Sequence, residues 1–95
     1  MARALTIESR ELAADDRAQF VQALRARREH YKRANCNFWV FEQSPREDDL
    51  GALCAFVVFT EAADEAQLRE ARRGDPSSGA EALPLYRELD LSNDS

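Results

Sequence analysis

Apolar and polar residues alternate from Ala4 to Arg10, with Leu5 and Ile7 on one side and Thr6, Glu8 and Arg10 on the other. That period of two predicts a half-buried strand. Asp16, with Gln19 three positions on, reads as a helix start with Asp16 as its N-cap. Phe20, Val21, Leu24 and Tyr31 then fall on one stripe at about 100° per residue, with Ala13 and Ala34 near its edges. This predicts a helix over 16–33, stopped by Asn35 and Asn37 around Cys36. Asn37 to Glu42 (NFWVFE) is aromatic and β-branched without helical period, so it predicts a second strand. Ser44 to Gly51 carries Pro45, Asp48, Asp49 and Gly51 and reads as a polar turn. Leu53 to Thr60 (LCAFVVFT) is a nearly continuous apolar strand. Asp64 with Gln67 repeats the helix-start signal, for a short helix that turns Leu68 and Ala71 inward and ends at Gly74. Residues 75–82 read as a loop, and Leu85, Leu89 and Leu91 alternate with Tyr86, Glu88 and Asp90 in a last strand. Arg87 interrupts the apolar side of that strand, and 92–95 reads as a frayed tail.

The order β-α-β-β-α-β predicts an α+β, ferredoxin-like (split βαβ) architecture. Right-handed connections then place both helices on one face of a four-stranded antiparallel sheet. Such a sheet, covered on one side, should alternate apolar and polar positions. The two middle strands do not. Leu53, Ala55, Val57 and Phe59 share one face of the third strand, while Cys54, Phe56, Val58 and Thr60 share the other. Phe38 and Val40 oppose Trp39 and Phe41 in the second. The helix-free face therefore calls for a cover, most simply a second copy of the chain packed face to face. The competing expectation is a monomer whose 75–82 loop or tail folds across that face.

The chain has 95 residues, with 13 Lys+Arg against 18 Asp+Glu and a formal net charge of -5. One domain is expected from that length. A 44% hydrophobic content with 3 Gly and 3 Pro excludes a disordered chain. The longest apolar run, Leu53 to Phe59, falls far short of the roughly 20 residues that span a bilayer. No apolar leader follows Met1, and a cytoplasmic chain with reduced cysteines is expected. If the middle strands form a hairpin that sets Cys54 opposite residue 40 or 41, Cys36 lies roughly 15 Å away, too far for a disulfide.

Two sequence features point toward nucleic acid, and neither holds. Arg25 to Arg33 contains five Lys/Arg and one Glu, a local net of +4, but the charges spread around the helix of an acidic chain. Ala55-Phe56-Val57-Val58-Phe59 matches the second half of an RNA-recognition signature, whereas Ala52-Leu53-Cys54 stands where its basic, glycine and aromatic residues belong. Nucleic acid is not expected as a partner, nor is a membrane.

The βαββαβ order, the apolar third strand running into Phe59-Thr60-Glu61-Ala62-Ala63-Asp64, and the short helix after it together resemble the dimeric α/β-barrel superfamily. The branch most similar is that of the antibiotic biosynthesis monooxygenases. The resemblance runs from Ala4 to Leu91. It implies a homodimer in which two sheets pack face to face around small-molecule cavities. It also implies cofactor-free oxidation of aromatic or quinol-like substrates, so no cofactor is expected.

Five residues are candidates for contact with a small aromatic or apolar ligand: Arg27, His30, Tyr31, Trp39 and Glu61. Arg27 sits within the apolar stripe of the first helix, where a guanidinium either snorkels past the helix end or holds an anionic group in a cavity. His30, the only histidine, lies to one side of that stripe, exposed or available as a general base. Tyr31 and Trp39 are large rings whose single polar atom wants a partner when buried. Glu61 ends the apolar strand on the Phe59 side. No metal site is expected, since no His/Cys cluster occurs at ligand spacing. The sequence supports a small-molecule-binding homodimer resembling cofactor-free monooxygenases; the alternative is a non-catalytic dimerising or ligand-sensing module.

Overall fold

The computed structural model describes residues 2–44, 53–77 and 82–92. The expected turn after Ser44, the 78–81 part of the expected loop and the tail beyond Ser92 lie outside these. Strand β1 (Ala4–Ala13) is followed by a single 3-10 turn (Ala14–Asp16) and helix α1 (Arg17–Arg33). Strands β2 (Asn37–Glu42) and β3 (Leu53–Ala62), helix α2 (Glu65–Arg73) and strand β4 (Leu85–Arg87) follow among the described residues. All neighbouring strands are antiparallel in the order β2-β3-β1-β4, the sheet of a ferredoxin-like α+β fold. No described helix is long and apolar enough to cross a membrane.

The helix ends explain the boundaries. Asn35 adopts φ 61°, the left-handed conformation that Asn tolerates better than most residues. There the Cys36 N–H donates to Tyr31 O at 2.8 Å and the Asn35 N–H to Lys32 O at 3.1 Å, closing α1 in a Schellman motif. Asp64 caps α2, its Oδ1 accepting from the Gln67 N–H at 2.8 Å, while Gln67 Oε1 takes the Ala63 N–H. Asp16 does not cap α1. It continues the 3-10 turn in helical conformation and makes no side-chain cap bond, so the chain winds into α1 without a cap.

The alternation of β1 reads true, but its polar side is the buried one. Ala4 (0% exposed) and Thr6 (3%) lie beneath the helices, whereas Ile7 is 36% exposed on the open face. Thr6 sits across from Thr60 of β3, and Glu8 meets a buried arginine, so it is the side of Thr6 and Glu8 that lies under the helices and the side of Leu5 and Ile7 that faces away. On β3 the helix side is Phe56, Val58, Thr60 and Ala62. The core joins Ala4, Tyr31, Cys36, Ala62, Leu68 and Ala71, with Phe38 and Leu85 packed against it.

Two further expectations change. Val40 pairs with Val58 and Glu42 with Phe56, so Cys54 lies beyond the end of β2 and not opposite residue 40 or 41. The longer β3 runs past its partner on that side, and both cysteines are free. Strand β4 ends at Arg87 opposite Ala4, the first residue of β1, and one further backbone bond, from the Glu88 N–H to Arg3 O at 2.8 Å, closes the pairing. Leu89 and Leu91 are consequently exposed.

Candidate functional site

Three features could carry chemistry: a buried ionic cluster under the helices, the uncovered sheet face, and a groove beside β2.

The cluster is built around Arg27. Its position in the apolar stripe of α1 turns the guanidinium inward, to 4% exposure. Arg27 Nη2 donates to Glu8 Oε1 at 3.0 Å, and Nε lies 3.3 Å from Asp75 Oδ2. The cation stands 5.5 Å from the Phe38 ring centroid, and Phe38 stacks on Tyr31. The Tyr31 hydroxyl donates to Asp75 Oδ2 at 2.5 Å, while the Ser77 N–H and Oγ donate to Asp75 Oδ1. Of the two alternatives for Arg27, it is thus the inward one that the structure adopts, and the anionic groups it holds are the chain's own.

These contacts set the ionisation of the cluster. Burial works against the Asp75 carboxylate, yet hydrogen bonds from Tyr31 and Ser77 and the Arg27 charge outweigh it and hold its pKa below the usual value. Burial pushes the Tyr31 phenol well up, and the hydrogen bond and charge of Asp75 add to the effect. A neutral phenol and two carboxylates around one guanidinium leave Arg27 no open side for a ligand anion. The cluster ties α1, β1 and the chain after α2 together.

His30, in the last turns of α1, uses Nε2 to hydrogen-bond Ala71 O of α2 at 2.7 Å and meets Tyr31 edge-on. The two helices are joined there.

Trp39 and Glu61 lie on the other side of the sheet. Across β2, β3 and β1 the register aligns Trp39, Phe59 and Ile7 in one row, and Phe41, Val57 and Ser9 in the next. Trp39 is 44% and Phe41 59% exposed, and Phe41 packs edge-to-face on Phe59 with centroids 5.7 Å apart. Glu61, between Asn37 and Leu5 in the adjoining row, accepts from Asn37 Nδ2 at 2.9 Å and pairs with Arg3 at 3.4 Å. The five expected ligand residues therefore fall into two groups separated by the sheet: Arg27, His30 and Tyr31 beneath the helices, Trp39 and Glu61 on the open face.

The groove, of about 460 Å³, runs between α1 and the edge strand β2. Its apolar floor comes from Val21, Leu24, Phe38, Val40 and Phe56. Its rim is cationic, with Arg17, Arg25 and Arg28 in line along α1. Arg17 is held by Glu42 through bonds of 2.9 and 2.8 Å.

Sequence reasoning missed Glu8, Asp75 and the groove arginines. Arg27 inside an apolar stripe is compatible with a buried anion as well as with snorkelling, and nothing local singles out Asp75 as a partner. Among the described residues, no cluster of His, Cys, Asp or Glu is arranged to hold a metal ion. No protein-family model, curated protein or solved structure matches this chain.

Proposed function

We propose that this chain acts as a homodimer that binds a small aromatic or apolar molecule, with two copies pairing sheet to sheet into an α/β barrel. The observation that carries the reading is the open sheet face. Ile7, Trp39, Phe41, Val57 and Phe59 form a continuous apolar surface on the side away from the helices, a kind of patch that soluble monomers rarely leave wet. Glu11 and Glu61, which project from the same side of β1 and β3, make it a poor surface for nucleic-acid phosphates. Arg27, Tyr31, Asp75 and Glu8 satisfy one another beneath the helices, which favours a binding module over an enzyme that works through those groups.

A second reading is cofactor-free oxidation of an aromatic or quinol-like substrate. Its supporting observation is the Asn37–Glu61 pair in the row next to Trp39 and Phe59, where a carboxylate could take a phenolic proton.

Light scattering over a concentration series tests the dimer, with a species at twice the 10.8 kDa chain mass expected. Calorimetric titration with the neutral aromatic 2-naphthamide tests binding. A monomer at every concentration removes the barrel, and absence of heat removes the ligand reading. Oxygen uptake with hydroquinones, abolished by Glu61→Gln, would favour the second reading; binding without uptake leaves the module.

A further inference from the structure

Resting on that binding reading, we propose that the groove between α1 and β2 takes a small aromatic carboxylate, its ring on the apolar floor and its anion held by Arg25 and Arg28. The argument begins with charge. The whole chain is acidic, at -5, yet this groove is rimmed by three arginines and a single acid, Glu42. Arg17 and Glu42 neutralise each other through their two-pronged pair. Among the described residues, Arg25 and Arg28 have no ion-pair partner, so the rim keeps two uncompensated positive charges.

Their spacing suits one anion. Residues three apart on a helix are neighbours, with Cβ atoms about 5–6 Å apart. From there both guanidinium groups can converge on the two oxygens of one carboxylate, the planar partner that arginine pairs with best. The floor sets the rest of the ligand. Phe38 offers a partly exposed ring, Val21 and Val40 offer aliphatic surface above the buried Leu24 and Phe56, and the volume of about 460 Å³ lies within the range of small-ligand sites. A neutral aromatic would gain the floor alone, and an aromatic amine would be repelled by the rim.

The test compares 2-naphthoate with its neutral counterpart 2-naphthamide by calorimetry on the full chain at neutral pH. The acid should bind about fivefold tighter, since exposed ion pairs contribute up to about 1 kcal/mol. Added salt should weaken the acid and leave the amide unchanged. In the double variant Arg25→Gln/Arg28→Gln, whose sites are exposed and whose fold circular dichroism can verify, the preference should vanish while the amide binds as before. Val21→Trp, which fills the floor, should remove both. Equal binding of acid and amide to the native chain overturns the carboxylate proposal and leaves the binding reading standing on the amide. A preference that survives the double variant, or acid binding that survives Val21→Trp, also overturns it by placing the anion elsewhere. If neither compound binds, both readings fall together.

Discussion

Arg27 of α1 and Asp75, 48 positions further along the chain, meet in an ion pair in which the carboxylate side chain has no exposed surface. The pair explains why an arginine stands in the apolar stripe of α1. It also explains the path of the chain after α2: Asp75 follows directly on Gly74, and Ser77 donates back to the same carboxylate, turning the backbone beneath α1. Glu8 brings β1 into the same contact. Helix, strand and loop are thus held by charges that have left water, and such a group is costly to leave incomplete.

Asp75→Ala should therefore be severe. It leaves Arg27 with only Glu8 and strands the Tyr31 hydroxyl. Removing one partner of a buried pair costs about 3–5 kcal/mol, a large part of the roughly 5–15 kcal/mol that holds a small domain together. Urea unfolding of the variant should show an unfolding free energy lowered by that amount, read as the fall in midpoint multiplied by the m value. A loss within about 0.5 kcal/mol, the range of ordinary surface changes, would mean the pair is not structural.

The same cluster should give stability two pH limits. Asp75 has a lowered folded pKa, so its contribution is present above the ordinary carboxyl value of about 3.9 and is lost as pH falls through the lower folded value. The exposed carboxylates Glu42 and Glu88 are also held low, by hydrogen bonds and charge from Arg17 and Arg3 that salt screens, and Asp90 by hydrogen bonds from Ser92, so an acid limb that persists in high salt and in Asp90→Ala reports Asp75. Tyr31 has a raised folded pKa. Its contribution is complete below about 10, where the unfolded phenol ionises, and is lost as pH rises from there toward the folded value. Tyr31→Phe should flatten the alkaline decline in a series of urea melts.

Gly74 is required by a neighbour and not by its own backbone. A Cβ there would lie 2.6 Å from His30 Cε1, inside any permitted contact, and the His30 ring is fixed by its bond to Ala71 O. Gly74→Ala should cost about 1–3 kcal/mol, the usual price of overpacking. His30→Ala should relieve most of that in the double variant. A cycle showing simple additivity would mean the ring moves aside freely.

Much of this architecture was legible because local signals agreed. Period two in β1, the aromatic run 37–42, the apolar run of β3 and the Asp64–Gln67 box each fixed an element close to its observed ends. The doubly apolar β3 also announced an uncovered sheet face. What escaped is non-local. The buried side of β1 could not be told from alternation, since a period of two leaves the choice of face to the packing partners, and here Thr60 and Arg27 favour Thr6 and Glu8. Asp75 escaped because it lies in a loop, where an acidic residue beside Pro76 and Ser77 reads as turn chemistry. Arg25 and Arg28 read as a solvated face until β2 was seen to form a groove beside them.

The two acidic helix starts make a controlled comparison. Asp64 accepts the Gln67 N–H, whereas Asp16 makes no cap bond. Asp64→Ala should destabilise by about 1 kcal/mol, and Asp16→Ala by no more than a few tenths. Thermal melts of both variants, run side by side, check the contrast; equal losses would show that charge near a helix start, and not the cap bond, matters here.

The last prediction separates fold from assembly. Ile7 stands in the row with Phe59 and Trp39 on the open face and is partly exposed within the single chain, so a long charged side chain there can reach water in the monomer. If two sheets pair on this face, as we propose, the same charge is buried without a partner at the interface. Ile7→Lys should thus leave the circular dichroism of the dilute chain nearly unchanged while shifting the mass in solution from twice 10.8 kDa to 10.8 kDa. A variant that remains dimeric would place the contact on another surface, with the outer edge of β2, which pairs with no second strand among the described residues, the first to examine, because a strand edge is itself a template for pairing.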